Sequence, residues 1–150
     1  MKTRHLFNPH LLSLLLCAVA GSVSAGECLP QVHDGWIRML PGGMPMMAGF
    51  ANILNPCAKP MTIVKASSAA FADTSLHETT VVNAVNRMRP VPALRIAPDT
   101  TATLKAGGMH LMLMEPTAPL KAGKHLAIQF KLQDGRTVSG DFELRAMDER

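Results

Sequence analysis

The segment Gly107–Met114 constrains the fold more than any other part of the chain. After two glycines, leucine alternates with His110, Met112 and Met114. This period of two is that of a β-strand and not of a helix, and paired glycines are typical of the turn before a strand. His110, Met112 and Met114 therefore share one face of the predicted strand. Because thioether sulfur selects Cu(I) and imidazole also binds copper, this face predicts half of a soft-metal site.

Residues 1–25 are predicted to form a signal peptide that is removed. A positively charged start precedes the apolar run at 11–19, and small residues ending at Ala25 form the expected cleavage site. The run is shorter than the ~20 residues of a transmembrane helix. Cys17 suggests lipoprotein processing as an alternative, but the bulky leucine before it argues against that. We expect a mature domain of residues 26–150 in the periplasm.

The mature chain has an ordinary charge balance. Without the two basic residues of the signal peptide, thirteen Lys and Arg remain against eleven Asp and Glu, and no basic run of the kind that binds nucleic acid is present. About 125 residues are expected to form one domain with its own core. No nucleophile–base pairing, carboxylate dyad or glycine-rich phosphate loop is recognisable, so we do not expect an enzyme.

Two cysteines remain in the mature chain, Cys28 and Cys57. In an oxidising compartment a pair of cysteines favours a disulfide, which would tie the mature N-terminus to the loop after the second predicted strand. The alternative, in which the two thiolates bind copper, requires a reducing environment.

Short strands separated by glycine and proline predict an all-β domain, an antiparallel sandwich or barrel. Residues 67–75 are small and polar and are expected to form a turn or short helix, and Asp134-Gly135 predicts a hairpin turn. The predicted strands are 32–40, 48–54, 61–66, 76–82, 85–90, 94–96, 100–104, 110–114, 127–132 and 138–144.

The segment 76–90 predicts a hairpin that turns at Asn83-Ala84. In the register of a two-residue turn, Met88 pairs with Thr79 and lies diagonally opposite His77 on the same face. Two imidazoles and two thioethers without a carboxylate favour Cu(I) over zinc. The candidate metal ligands are therefore His77, Met88, His110 and Met112.

The spacing of these four residues resembles the motif of the periplasmic copper chaperones called PCuAC. Ten residues separate His77 from Met88, and twenty-one separate Met88 from the His110-x-Met112 pair. The likeness covers nearly the whole mature chain, although the cysteine pair and a methionine-rich loop at 44–47 are not part of the pattern. Further blocks that resemble the family are DGWIR at 34–38, LHET at 76–79, MRPV at 88–91 and GGMHLMLM at 107–114.

This resemblance implies a cupredoxin-like Greek-key β-barrel that holds one Cu(I) near its surface. It also implies a copper-acceptor protein as partner, either cytochrome c oxidase subunit II, whose CuA centre the family helps to assemble, or a thioredoxin-like copper carrier. Some members bind Cu(II) through a His/Met-rich tail, but this chain ends in AMDER, so no such second site is expected. Copper storage or resistance without a delivery partner is the alternative function.

Other residues leave alternatives open. Met114 shares the face of Met112 but is expected to lie in the core or beside the site, and Met109 points the other way. An electron-transfer role is disfavoured because blue copper needs a cysteine thiolate, and neither cysteine lies near His110 in the sequence. Either a copper-capturing loop or a hydrophobic flap is expected at Met44, Met46 and Met47. We expect surface positions for His33 and His125 and a core position for Trp36.

Overall fold

The computed structural model describes residues 28–147, and this part of the chain is almost entirely β-structure. A single turn of 3-10 helix, Pro41–Gly43, separates the first two strands. The described residues contain no helix long and apolar enough to cross a membrane. The predicted signal peptide, residues 1–25, lies outside them. The strands are β1 (Gln31–Met39), β2 (Met46–Asn55), β3 (Met61–Ser67), β4 (Phe71–Val82), β5 (Val85–Pro90), β6 (Leu94–Ile96), β7 (Thr100–Leu104), β8 (Met109–Pro116), β9 (His125–Leu132) and β10 (Thr137–Ala146).

These strands form one hydrogen-bonded sheet that curls around a single core. Its order is β5-β4-β8-β2-β1-β10-β9-β3-β6, and β7 pairs with the second half of β2. The pairings are antiparallel except that of β1 with β10, which is parallel. Leu76 of β4 and Leu94 of β6, near opposite ends of this order, belong to the same hydrophobic core. The predicted single-domain, all-β barrel or sandwich is confirmed.

The alternation of side chains along β8 decides which residues face outwards. Leu111 and Leu113 are fully buried in the core. Since successive side chains of a strand point to opposite faces, this burial turns His110, Met112 and Met114 away from the core.

A β-bulge in β1 is built from residues suited to it. Asp34 has φ +54°, and the register with β2 shifts between His33 and Trp36. The side-chain amide of Asn52 donates a hydrogen bond of 3.0 Å to the Asp34 carboxylate, which holds the bulge in place. The next residue, Gly35, lies directly against β10, where a side chain would overlap the backbone.

Several strands begin one or more residues earlier than predicted, and two of these differences concern the surroundings of the candidate ligands. The expectation of a turn or short helix at 67–75 is wrong for its second half, because β4 starts at Phe71 and buries both Phe71 and Thr74. Similarly, β2 starts at Met46, so the expected methionine-rich loop is shorter than predicted. Of Met44, Met46 and Met47, Met44 lies outside a strand, Met46 is the first residue of β2, and Met47 is buried in the core.

The predicted disulfide is present between Cys28 and Cys57, whose Cα atoms are 5.8 Å apart. Beneath it, the fully buried Asn55 donates hydrogen bonds to the carbonyls of Lys59, Ile96 and Ala97, and its Oδ1 accepts from the Cys57 N–H. This cluster follows the end of β2 and therefore lies at the opposite end of the barrel from the start of that strand at Met46. With both sulfurs in the disulfide, the cysteines are not thiolate ligands in this structure.

Candidate metal site

The β4–β5 hairpin has the predicted register. Asn83 and Ala84 form its two-residue turn with φ of +52° and +61°, the conformation of a type I′ turn. Thr79 pairs with Met88, as predicted. β5 is the edge of the sheet and is exposed along its whole length, so the Met88 side chain is 50% exposed.

The β4–β8 pairing brings the two histidines together. His77 and His110 are directly opposed Cα partners, and their ring centroids are 6.3 Å apart. Ser75 is the partner of Met112, which places Met112 diagonally opposite His77. Directly opposed residues of an antiparallel pair share a face. All four candidate ligands therefore lie on one face of three neighbouring strands, the face turned away from the core.

A surface cavity of about 170 Å³ opens on this face. Met88, His110 and Met112 line it, and Ala48 and Phe50 of β2 contribute apolar walls. His77 is not among the lining residues, but the centroid of its ring lies 6.3 Å from that of His110, which is. An apolar wall around such a site limits the access of water to any bound ion.

Hydrogen bonds set which nitrogen of each imidazole is free. His110 Nδ1 lies 3.0 Å from the Gly108 carbonyl oxygen and must donate to it, so its Nε2 keeps the lone pair. Ser75 donates its hydroxyl hydrogen to Asp73 at 3.1 Å and thus accepts from His77 Nε2 at 3.2 Å. His77 Nδ1 is buried and has no hydrogen-bond partner among the described residues. Each ring therefore offers one unprotonated nitrogen.

Electrostatics keep His77 in the neutral form that binds metals. Burial lowers the pKa of His77, and the nearby His110 lowers it further, while the Asp73 carboxylate opposes the shift. Because a proton competes with a metal for the ring nitrogen, a lowered pKa extends binding to lower pH.

The donor set restricts the metals that fit. Within residues 28–147, three or more His, Cys, Asp or Glu side chains nowhere cluster in a way that could hold a metal ion. Of the side chains that bind soft metals, this face carries the two imidazoles and neighbouring thioethers. Uncharged, soft thioethers favour Cu(I) over zinc, magnesium or calcium.

Several neighbouring residues differ from expectation. Trp36 is not in the core: its ring packs on Phe50 at 4.6 Å on the outer face, beneath the Arg145 guanidinium at 5.5 Å. His33 and His125 are exposed, as predicted. Ser75 and Phe50 were missed. Once β4 is known to begin at Phe71, its side-chain period of two places Ser75 on the same face as His77. No local signal in the sequence places Phe50 at this site.

Sequence comparison finds a family and a relative that are described as putative lipoproteins. The family model described as "Putative lipoprotein LpqE-like" matches residues 31–144. The Leifsonia xyli subsp. xyli protein "Putative lipoprotein Lxx21020" is 33% identical over 133 residues, which cover 85% of this chain and 79% of that protein. Protein RP573 of Rickettsia prowazekii, named as uncharacterized, is 28% identical over 137 residues, covering 85% of this chain and 75% of that protein.

Structural comparison finds PCuAC domains. The solution structure of apo-DR1885 from Deinococcus radiodurans is 26% identical, with a TM-score of 0.63 over 98% of this chain and 99% of that chain. The CuI-DR1885 structure is 27% identical, with a TM-score of 0.61 over 84% and 83%. The copper-bound PCuAC domain from PmoF2, at 18% identity and a TM-score of 0.64 over 78% and 92%, shows the shared fold. The predicted cupredoxin-like fold and the resemblance to PCuAC proteins are confirmed.

Proposed function

The chain belongs to the LpqE-like family, and we propose that it is a Cu(I) chaperone that carries its cargo on His77, Met88, His110 and Met112. The observation that carries this proposal is the strand register, which puts two directly opposed histidines between two diagonal methionines on one outward face. The Cu(I)-bound form of the structurally similar DR1885 supports copper as the cargo. The role is one of binding and transfer, and no catalytic step is assigned to it.

Copper binding displaces no proton from the neutral form of either ring. His77 Nδ1 and His110 Nε2 already carry lone pairs, and thioether sulfur has no proton to lose. The Gly108 carbonyl and the Ser75 hydroxyl hold the two rings in these tautomers. Because all four proposed ligands are uncharged, the site with copper bound has the single positive charge of Cu(I).

Transfer follows from unequal exposure of the ligands. Met88 lies on the edge strand and is 50% exposed, whereas His110 is only 6% exposed. An incoming ligand from an acceptor therefore reaches the copper from the β5 side. We expect Met88 to be displaced first and His110 last, with Cu(I) never released to solvent.

The partner and location follow from the same proposal. An acceptor with soft ligands suits Cu(I), and the candidates are cytochrome c oxidase subunit II, through its CuA centre, and a thioredoxin-like copper carrier. The domain of residues 26–150 would act in the periplasm after removal of residues 1–25 as a signal peptide. The lipoprotein names of the family and of its Leifsonia relative support export.

An anaerobic Cu(I) titration against a chromophoric chelator tests the site. We expect one tight equivalent with mixed sulfur and nitrogen scattering in X-ray absorption. A Met88→Ala/Met112→Ala variant should lose at least ~100-fold in affinity, since even changes to residues behind a metal's ligands cost about 10–100-fold. The control is Met61→Leu/Met109→Leu, which removes two core-facing thioethers. Equal affinity in the two double variants would refute the proposed ligand set.

A transfer experiment separates delivery from storage. The copper-loaded protein is mixed with a purified CuA domain or a thioredoxin-like carrier, and the rate of transfer is compared with the rate of Cu(I) loss to a chelator. Transfer that is faster than dissociation and rises with acceptor concentration supports a chaperone. Transfer no faster than dissociation would instead favour copper storage or resistance.

A further inference from the structure

A row of methionines continues the outward face beyond the four proposed ligands. Met46, the first residue of β2, is the direct Cα partner of Met114 on β8. Two residues further along β2, Ala48 is the partner of Met112. Since direct partners share a face, Met46, Met112 and Met114 lie on the same side of two adjacent strands, with Met46 and Met112 in diagonal positions.

The three side chains have the reach and the room to meet. Cβ atoms of directly opposed residues are ~5 Å apart and diagonal neighbours are ~7 Å apart, while methionine has three rotatable bonds. All three methionines are half-buried. Met46 and Met112 both line the cavity described above, and Ala48, the direct partner of Met112, adds only a small side chain to its wall.

Core packing does not account for this row. Methionine is commonly used to fill gaps in a core. Met46, Met112 and Met114, however, lie outside the hydrophobic core cluster of the described residues and are not among the side chains packed against it, whereas Met47 and Met109, their neighbours in sequence, are. On the far side of Met114, its partner on β4 is Asp73, a carboxylate that favours a nearby cation.

We propose that Met46, Met112 and Met114 form a three-thioether Cu(I) site that loads the His77/His110 site through the shared ligand Met112. The copper remains Cu(I) throughout, so no electron is transferred. Its bonds to the sulfurs of Met46 and Met114 break as bonds to the two imidazole nitrogens and the Met88 sulfur form, and its bond to Met112 persists. The loading role rests on the function proposed above, whereas the three-thioether site itself does not.

The site is tested in a His77→Ala/His110→Ala variant labelled with ¹³C at the methionine methyl groups. On addition of Cu(I) under anaerobic conditions, the methyl signals of Met46, Met112 and Met114 should shift. The signals of Met88 and the core residue Met61 should not. X-ray absorption should show sulfur without imidazole scattering. No binding, or shifts confined to other methionines, would overturn the three-thioether site.

A second variant keeps both histidines and serves if the first does not fold. Met46→Leu/Met114→Leu should slow the transfer of Cu(I) from a chelator into the protein by about tenfold, the scale of effect seen when groups around a metal are changed. Its final affinity should fall far less than that of Met88→Ala/Met112→Ala, because the four proposed ligands are intact. Met61→Leu/Met109→Leu, with the same number of thioethers removed from the core face, is the control. An unchanged loading rate relative to this control would overturn the loading role.

The two proposals fail in distinguishable ways. If the four-residue site is wrong, His77→Ala/His110→Ala retains the Cu(I) affinity of the original protein, and the methyl signals of Met46 and Met114 then report whether the three-thioether site binds copper. If only the further inference is wrong, the original protein binds one tight Cu(I) while the histidine variant binds none.

Discussion

The contact between β1 and β10 gives the sharpest test of the fold, through the substitution Gly35→Ala. Gly35 is the Cα partner of Phe142 in the parallel pairing at the centre of the sheet order. An added Cβ would overlap the carbonyl oxygen of Asp141 and lie 3.0 and 3.1 Å from two ring carbons of Phe142. The Phe142 ring is fully buried, so it has no free volume into which to move.

The size of the effect follows from these neighbours. Overpacking of a core costs about 1–3 kcal/mol, and a clash with backbone and a fully enclosed ring places Gly35→Ala near ~3 kcal/mol. For the about 120 described residues, an unfolding entropy of roughly 2.1 cal/mol/K per residue sums to about 0.25 kcal/mol/K. The Tm should therefore fall by about 12 °C.

Thermal and urea unfolding followed by circular dichroism measure this change. The matched control is Gly108→Ala, whose added Cβ would be 3.5 Å from the nearest atom, in the flexible side chain of Lys105. That control should remain within about 1 kcal/mol of the original protein. The close approach of β1 to β10 is refuted if the free energy of unfolding of Gly35→Ala is also within 1 kcal/mol of that of the original protein, with an unchanged dependence on urea concentration.

Four further predictions concern the hairpin, the far end of the barrel and the site. Ala84→Gly should stabilise the protein by about 1 kcal/mol in urea unfolding, because alanine is strained at φ +61°. Asn55→Asp should destabilise it by about 3 kcal/mol or more by the same assay, since a carboxylate cannot donate to the three carbonyls around it. Cys28→Ala/Cys57→Ala should cost about 3.5 kcal/mol, from the separation of 29 residues, and leave Cu(I) stoichiometry unchanged. By NMR, the pKa of His77 should be below the ordinary imidazole value of 6.5, because burial and the neighbouring imidazole favour its neutral form, so the contribution of His77 to Cu(I) affinity should be lost only below that pH.

The hairpin shows which parts of the site follow from local sequence. The side-chain period of two and a two-residue turn at Asn83-Ala84 together fix the register, so the pairing of Thr79 with Met88 was predictable without a structure. The same period places His110 and Met112 on one face of β8. Local rules therefore determine the face of each candidate ligand.

Strand neighbours are not determined locally. His77 and His110 are separated by 32 residues, so no local rule predicts that they pair. Their shared ligand chemistry, and then the resemblance to a known motif, suggested one site before the structure showed the pairing. The parallel pairing of β1 with β10 joins the two ends of the described chain, and the sequence of neither strand predicts this pairing. Trp36 was misplaced for this reason, because its neighbours Phe50 and Arg145 come from strands far away in sequence.

The start of β4 was not predicted, because the small and polar residues of 67–75 indicated a turn or short helix in place of a strand. Ser75 and Asp73 are polar because they face outwards, towards the histidines, while Thr74 and Phe71 bury the opposite face. A strand with function on one face therefore loses the hydrophobic signal by which strands are recognised. The residues that set the tautomer of His77 lie in the segment that the sequence made hardest to assign.

Under the proposed function, the position of the site on the outer face explains how a rigid barrel would release copper. Beneath the candidate ligands, Leu76, Leu111 and Leu113 remain in the core whatever the ligands do, because strand geometry points them the other way. A ligand placed inside the barrel could exchange only by opening that core, at a cost comparable to the stability of the domain. On the outer face, exchange needs only the rotation of exposed thioethers such as Met88. Substitutions at the ligands should accordingly impair copper transfer with little effect on unfolding, whereas Gly35→Ala should do the reverse.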